Sequence, residues 1–226
     1  MKKDFTFIAF TDASSYNVTS EYPEEPQHSC SAGVINLGRN IVYSFIHYNE
    51  NTTISYGELY AIYCILSDFV PLIENTDHKL ILFTDSDFAF KSINLWSKSW
   101  KKNAKNGIWY GSSGGQVAYQ RLIEAIIDLK DRANVKIYRI SGGHIDISKR
   151  DYEDSRAYGK VYKKCRERCI RDNHLYLTSE HTHYCIFYNN ICDQMAKAGL
   201  ELGMEGKRVN ERERKSFKKF IAKCSE

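Results

Sequence analysis

The pattern of apolar and polar positions divides the chain into short strands and longer helices. Runs of apolar, β-branched and aromatic residues bounded by turn residues predict strands. Apolar residues that recur every three or four positions predict helices. The predicted strands are 5–11, 30–37, 41–48, 79–83 and 135–140. The predicted helices are 56–69, 88–96, 117–129 and 189–202, and a basic tail over 207–223 is also expected to be helical.

The order of these elements predicts the fold class. Three leading strands, two of them joined by the hairpin-type segment Gly38-Arg39-Asn40, are followed by alternating helices and strands. This order is typical of an α/β fold with a five-stranded mixed sheet, three antiparallel strands and then parallel strands, flanked by helices. We expect one domain over 1–204, with a basic protrusion at about 97–115 and an insertion at about 146–188, and then a C-terminal tail over 205–226.

Composition and charge limit the classes of protein to which the chain can belong. Its 226 residues suit one elaborated domain, and a hydrophobic share of 42% is enough for a sizeable core. The net charge of +4 is too mild to indicate a nucleic-acid partner by itself, so the position of the positive charge matters more. No apolar stretch is long enough to cross a membrane, and Asp4 and Asp12 interrupt the N-terminal apolar run. We therefore expect a cytoplasmic monomer with no membrane partner.

Four carboxylates fall where predicted strands end or predicted helices begin, namely Asp12, Glu58, Asp85 and Asp193. Such positions gather at one edge of an α/β sheet, where ligands bind. Any one of these acids is more often a turn residue or a helix cap, so the signal lies in the set. Four clustered carboxylates repel one another unless cations intervene, and hard oxygen ligands suit Mg²⁺. Two such ions about 4 Å apart can hold the attacking and leaving oxygens of a phosphodiester.

Five motifs that contain these acids or lie between them resemble, in the same order, the motifs of ribonuclease H, type 1. They read FTDAS, SYGELYAIYCIL, LFTDSDFAFKSI, RISGGH and NNICDQMAKAG. The segment LWSKSWKKNAKNGIW also resembles the basic protrusion of bacterial members. The resemblance covers residues 5 to 199, apart from the segment between His144 and Asn189.

The resemblance implies an endoribonuclease that hydrolyses the RNA strand of RNA/DNA hybrids with two Mg²⁺ ions, which Mn²⁺ can replace. Asp12, Glu58, Asp85 and Asp193 would hold the metals, water would be the nucleophile, and the 3′ oxygen would leave. His144 would lie on a loop over the site and assist proton transfer or product release, because the charge of a histidine can change near neutral pH. The nucleic-acid contacts implied in this way are Ser14, Ser86, Lys98, Trp100, Lys101, Lys102, Lys105 and Asn189.

The protrusion combines cations with aromatic rings. Its four lysines are interleaved with Trp96, Trp100 and Trp109. Lysines neutralise phosphates and release counterions, while indoles pack on sugars or anchor the protrusion to the domain. We expect Trp96 to be such a buried anchor. The basic tail can add to this surface or form a solvated helix.

Some positions depart from the family pattern and bear on the substrate. Ile54 and Ser55 replace asparagines that help to recognise the minor groove and the 2′-hydroxyls, and Asp87 replaces a glutamine. An acid near bases or phosphates repels them. These changes leave the metal site intact and favour, as an alternative substrate, double-stranded or structured RNA, which is recognised by shape and 2′-hydroxyls. A catalytically inactive nucleic-acid-binding module is the other alternative, and the complete set of acids argues against it.

The insertion carries a second group of metal-binding residue types. Cys165 and Cys169 would share one face of a helix, and His181, His183 and Cys185 alternate as on one face of a strand. Together they could form a tetrahedral zinc site, although the spacing matches no recognised finger. The alternative is that the cysteines are buried and the histidines face solvent. Seven cysteines without a signal sequence indicate free thiols or metal ligands rather than a disulfide framework.

Overall fold

A single mixed sheet organises the computed structural model, which describes residues 4–16, 27–143, 156–207, 209 and 211–212. The strands are β1 (Thr6–Ser15), β2 (Ser29–Leu37), β3 (Asn40–Asn49), β4 (Lys79–Thr84), β5 (Val135–Arg139) and β6 (Glu211–Arg212). Their order across the sheet is β5-β4-β1-β2-β3-β6. The first three strands pair in antiparallel fashion, and β4 and β5 continue the sheet in parallel with β1. The predicted five-stranded mixed sheet is confirmed, with β6 as a short addition.

The helices pack on both faces of this sheet. They are α1 (Ile54–Ile73), α2 (Asp87–Lys91), α3 (Ser97–Lys102), α4 (Gln120–Asp131), α5 (Arg156–Asn173) and α6 (Ser179–Met204), with a π-helical turn (Ser92–Trp96) joining α2 to α3. Pro71 was expected to follow the first helix but lies in its last turn. The helix continues past it, and the backbone N–H of Glu74 still donates to the carbonyl of Val70 at 2.9 Å.

Helix α1 forms the centre of the larger core. Its apolar residues, such as Leu59, Ile62 and Phe69, are fully buried against one face of the sheet, where they join Phe7 and Leu82. By length and composition α1 could cross a membrane, contrary to the expectation from sequence. Its packing here is that of a core helix covered by strands and by α4.

The opposite face of the sheet is covered by α5 and α6, and here the sequence-based expectation is corrected. The segment that holds His181, His183 and Cys185 is helical, because α6 begins at Ser179, where the hydroxyl of Thr178 caps the backbone N–H of His181. Residues two apart on a helix point to different sides. The ring of His183 therefore packs on tyrosines of α5, while Cys185 is buried in the second core cluster.

The zinc site considered for the insertion does not form among the described residues. Cys165 and Cys169 are fully buried in the second core cluster. In the part of the chain that the structure describes, no set of three ligand atoms from this segment lies close enough together to hold an ion. The cysteines are core residues, which is the alternative that the sequence left open.

The C-terminal segment was expected to be a helix from residue 207, and this is wrong at Glu211–Arg212, which form β6 against Phe45 and Ile46 of β3. Gly206 adopts a positive φ of 73°, which glycine tolerates without strain, and it turns the chain back from α6 towards the sheet. Val209 is buried beside Cys30 and Leu200, so an apolar contact supports this return. Residues 213–226 lie outside the described residues.

The side chain of Asn173, at the end of α5, binds the backbone of β5. Its Oδ1 accepts from the backbone N–H of Arg139 at 3.0 Å, and its Nδ2 donates to the carbonyl of the same residue at 2.6 Å. The thiol of Cys169 also donates to this carbonyl, at 3.9 Å. The insertion is therefore attached to the sheet by hydrogen bonds as well as by apolar packing.

Replacing Asn173 by alanine should destabilise the protein by about 1–3 kcal/mol, because the half-buried backbone N–H of Arg139 would lose the amide oxygen and its carbonyl would keep only the weak donor of Cys169. The measurement is the midpoint of urea unfolding, which should fall while the m-value is unchanged. Asn103→Ala, in an exposed turn, is the matched control and should unfold like the wild type. Equal midpoints for the two variants would contradict a structural role for Asn173.

Candidate active site

The register of two parallel strands brings the first two acids together. Thr11 of β1 lies opposite Thr84 of β4, so the residues that follow, Asp12 and Asp85, lie side by side at the carboxyl end of this strand pair. Asp85 follows β4 directly, as predicted. Asp12 was expected to end its strand, but β1 continues to Ser15 because these residues still pair with β2.

Helix α1 adds the third acid through a close approach to the sheet. The hydroxyl of Thr53 caps the helix by accepting from the backbone N–H of Tyr56 at 3.3 Å. A Cβ at Gly57 would lie 2.9 Å from the Oγ of Ser29 in β2, so a larger residue would push the helix outwards. The hydroxyl of Ser31 donates to the carbonyl of Gly57 at 2.8 Å and fixes this approach. Glu58 is the next residue and points into the site.

Asp12, Glu58 and Asp85 form the acid cluster, in which one carboxylate oxygen of each residue lies within 4.8 Å of the other two. Asp12 and Glu58 are buried, and Asp85 is half-buried. Burial, followed by repulsion from Asp85 and Asp193, raises the pKa of Asp12 well above its usual range. Burial, followed by repulsion from Asp12 and Asp85, does the same for the pKa of Glu58.

The acid cluster fits a divalent cation. The Oε2 atom of Glu58 is buried and has no hydrogen-bond partner among the described residues. Buried polar atoms without a partner are rare in folded proteins, and a cation would supply one here. A cation would also offset the repulsion that raises the two pKa values, and oxygen-only ligands are those that Mg²⁺ prefers.

The fourth predicted acid, Asp193, lies beside the acid cluster. It was expected near the start of a helix, but it lies in the second half of α6 because that helix begins ten residues earlier than predicted. Its Oδ2 pairs with the ammonium of Lys197 at 2.7 Å, one turn along the helix. Asp193 does not belong to the set of acids within 4.8 Å of one another, but it lies one helical turn after Asn189, which contacts Asp85. Its charge contributes to the raised pKa of Asp12.

Asn189 contacts the acid cluster from the preceding turn of α6. Its Nδ2 donates to Oδ2 of Asp85 at 3.3 Å. Its own Oδ1 is buried and has no partner among the described residues. Asn189 therefore lies beside the acid cluster and contacts one of its acids.

A pair of glycines separates the acid cluster from the insertion. A Cβ at Gly142 would overlap the carboxylate of Asp85, and a Cβ at Gly143 would overlap the side chain of Val161 in α5. Only glycine fits this space between the cluster and α5. From the sequence alone, the pair had no role beyond its place in the motif RISGGH, and the only signal for this role was the Gly-Gly pair itself. His144 follows directly and lies outside the described residues.

The negative charge that the sequence places at Asp87 is paired with cations in the fold. Its carboxylate forms ion pairs with the guanidinium of Arg139 and with the ammonium of Lys91, the latter at 2.8 Å. Arg139 also contacts Asp172 of α5 at 3.3 Å. Nearby cations therefore largely offset the charge of Asp87, and it cannot be used as an argument about the substrate.

The basic protrusion exposes its cations and is anchored by a different tryptophan from the one expected. Trp96 is 38% exposed, whereas Trp109 is 3% exposed and belongs to the core. The rings of Trp96, Trp100 and Trp109 form a row with successive centroids 5.6 and 6.4 Å apart. The lysines, none of which forms an ion pair with another described residue, are Lys98, Lys101, Lys102 and Lys105.

The two serines implied as nucleic-acid contacts lie near the acids in sequence and in the fold. Ser14 is half-buried in β1, two residues after Asp12. Ser86 follows Asp85, and its hydroxyl caps α2 by accepting from the backbone N–H of Ala89 at 3.2 Å. The structure thus gives Ser86 a local structural role.

Comparisons with known proteins agree with this architecture. The model of the RNase H family matches residues 4–152, well over half of the chain. LC9-RNase H1, a type 1 RNase H with the type 2 active-site motif, superposes with a TM-score of 0.50 at 13% identity, over 74% of each chain. The foamy viral protease-reverse transcriptase in complex with RNA/DNA hybrid superposes with a TM-score of 0.51 at 13% identity. That match covers 73% of this chain but only 20% of the viral one. No curated protein sequence matches.

Neutralising Asp12 should stabilise the metal-free protein. Because burial and Asp85 raise its pKa above the ordinary value of 3.8, the folded chain binds more protons than the unfolded chain. The free energy of unfolding therefore falls as the pH rises from the pKa of Asp12 in the unfolded chain to its higher pKa in the folded chain. Above the folded-state pKa this loss of stability is complete. Asp12→Asn removes this loss and should add about 0.5–2 kcal/mol at neutral pH. The measurement is urea unfolding in a chelator at several pH values.

Added Mg²⁺ provides the second half of this test. It should raise the unfolding midpoint of the wild type and have much less effect on Asp12→Asn, because a ligand stabilises only the form that binds it. Asp128→Asn, on the exposed side of α4, is the control and should respond to Mg²⁺ as the wild type does. If Asp12→Asn unfolds more readily than the wild type in the chelator, the cost of burying the charge of Asp12 beside the other acids does not limit stability.

Proposed function

Because this chain belongs to the ribonuclease H family, we propose that it is a metal-dependent endoribonuclease that hydrolyses the RNA strand of RNA/DNA hybrids. The observation that carries the proposal is the acid cluster, three carboxylates within 4.8 Å at the carboxyl ends of paired strands. The foamy viral structure in complex with a hybrid has the same fold and favours this class of substrate.

Asp12, Glu58 and Asp85 would hold the metal ions, with Asp193 beside them as the fourth acid. Mg²⁺, or Mn²⁺ in its place, would lower the pKa of a water and stabilise charge that develops on the phosphate. Lys197 already balances Asp193, and the three carboxylates of the acid cluster carry more negative charge than one divalent ion offsets, so a pair of ions accounts for the cluster better than a single one.

The remaining residues of the site would position these groups and the substrate. Asn189 holds the carboxylate of Asp85 through a hydrogen bond of 3.3 Å. The four exposed lysines of the protrusion would contact phosphates, and Trp100 would pack against the backbone. His144, in the segment after Gly143, would assist proton transfer or product release.

Double-stranded or structured RNA is the second candidate substrate, and the start of α1 favours it. Ile54, the first residue of the helix, is 40% exposed and has no group that donates or accepts a hydrogen bond. It lies four residues before Glu58, on the side of α1 that faces the site. Recognition of 2′-hydroxyls and base edges depends on polar groups at such positions. Since cations offset the charge of Asp87, the argument for altered specificity depends on Ile54 and the neighbouring Ser55.

Asp85→Asn should abolish cleavage of a hybrid in Mg²⁺ while the protein remains folded. Losing one ligand charge should cost several kcal/mol of transition-state stabilisation, on the order of a thousandfold in rate. The measurement is the single-turnover rate with a labelled RNA strand, together with circular dichroism. Asp128→Asn serves again as the matched control and should cleave at the wild-type rate. A folded Asp85→Asn protein with an unchanged rate would remove the basis of the proposal.

Ile54→Asn should increase the preference for a hybrid over double-stranded RNA by about two- to tenfold, because one polar contact contributes about 0.5–1.5 kcal/mol. The measurement is a competition between hybrid, double-stranded and single-stranded RNA of one sequence. Ile41→Asn changes an isoleucine on β3 that is 47% exposed and should leave the preference unaltered. If the wild type already prefers the hybrid as strongly as a type 1 enzyme assayed alongside, Ile54 has no part in the choice of substrate.

A further inference from the structure

Helix α5 is amphipathic, with a buried apolar side and a basic exposed side. Tyr158, Cys165 and Cys169 are buried in the second core cluster. The exposed cations recur at helical spacing on the other side, at Arg156, Lys160, Lys163, Lys164 and Arg171. This surface belongs to the insertion, which lies outside the family motifs, so the resemblance to the family gives it no role.

Two of these lysines have no counter-charge within the described structure. Arg171 pairs with Asp172 at 2.7 Å, and Lys163 lies 3.9 Å from Glu167. Lys160 and Lys164 form no ion pair with any described residue. They are four residues apart and therefore adjacent on the helix surface, where like charges are mildly destabilising. An anionic partner would offset this repulsion.

The position of α5 relative to the acid cluster identifies the partner. Val161 packs against Gly143, and the neighbouring Gly142 packs against Asp85. Lys160 precedes Val161 and Lys164 follows it three residues later, so both lie within one turn of the residue through which α5 packs against Gly143. An anion that reaches both these lysines and the acid cluster has to be extended and carry repeated charges, as a nucleic-acid backbone does.

The two basic surfaces of the molecule lie on opposite sides of the acids. The protrusion is anchored by Trp109 in the core on the α1 face of the sheet, whereas α5 belongs to the core on the other face. The acid cluster lies at the end of the strands between them. We propose that the basic side of α5 binds the phosphate backbone of the nucleic acid whose scissile bond lies at the acid cluster, as a second contact surface on the other side of the acids from the protrusion. This inference rests on the proposed function for the location of the scissile bond.

The test uses the full chain with the double change Lys160→Gln and Lys164→Gln, since glutamine retains helix propensity. Lys79→Gln with Lys136→Gln is the matched control, because these exposed lysines lie in the first halves of β4 and β5, away from the acids. Binding of a hybrid duplex is measured in a chelator, where metal-dependent cleavage is blocked, at salt concentrations from about 50 to 200 mM. Circular dichroism melting checks that both variants fold.

The α5 variant should lose two phosphate contacts and the control none. The slope of log affinity against log salt should fall by about 1.8, taking 0.9 for each contact as on B-form DNA. Over a fourfold rise in salt, the wild type should therefore lose about tenfold more affinity than the α5 variant. A slope equal to that of the wild type overturns the inference, and so does an equal loss in both variants, which would show a general effect of net charge.

Cleavage in Mg²⁺ separates this inference from the proposed function. If the wild type cleaves a hybrid but the α5 variant keeps the full salt dependence of binding, the proposed endoribonuclease activity is supported and binding by the basic side of α5 is rejected. If the wild type binds through α5 but cleaves no nucleic acid, the surface stands and the proposed endoribonuclease activity is rejected.

Discussion

Parallel pairing of β1 with β4 places the buried Asp12 beside Asp85, and α1 adds the buried Glu58 to them. Each buried carboxylate makes it harder for its neighbours to ionise, as the raised pKa values of Asp12 and Glu58 show. The fold has to supply enough apolar burial to hold this arrangement without a cation. Two separate core clusters, one on each face of the sheet, provide it.

Close packing also limits the space around the acids. Gly57 lets α1 approach β2, and Gly142 lets the chain after β5 pass against Asp85. Because interiors are closely packed, a larger side chain at Gly142 would displace the carboxylate of Asp85, and one at Gly57 would displace the helix that carries Glu58. The acid cluster thus depends on the lack of a side chain at Gly57 and Gly142 as well as on its three carboxylates.

Much of the fold and most of the site could be predicted from sequence, because they depend on local patterns. Strand ends, a hairpin glycine and the acids at strand ends are visible in the order of residues. The structure of the insertion could not be predicted, because α5 is rich in charged residues and its buried side consists of a few residues such as Tyr158 and Cys165. The pairing of Asp87 with Arg139 was also hidden, because it joins residues 52 positions apart through the fold.

The hydrogen bonds of Asn173 to β5 also bear on aggregation through the edge strands of the sheet. A strand at the border of a sheet offers unpaired N–H and C=O groups to any other chain, which is a common route to aggregation. Asn173 occupies these groups at Arg139 on one border, and β6 occupies those of β3 at Phe45 and Ile46 on the other. The insertion and the tail thereby cover part of each border of the sheet and leave fewer backbone groups to which another chain could add a strand.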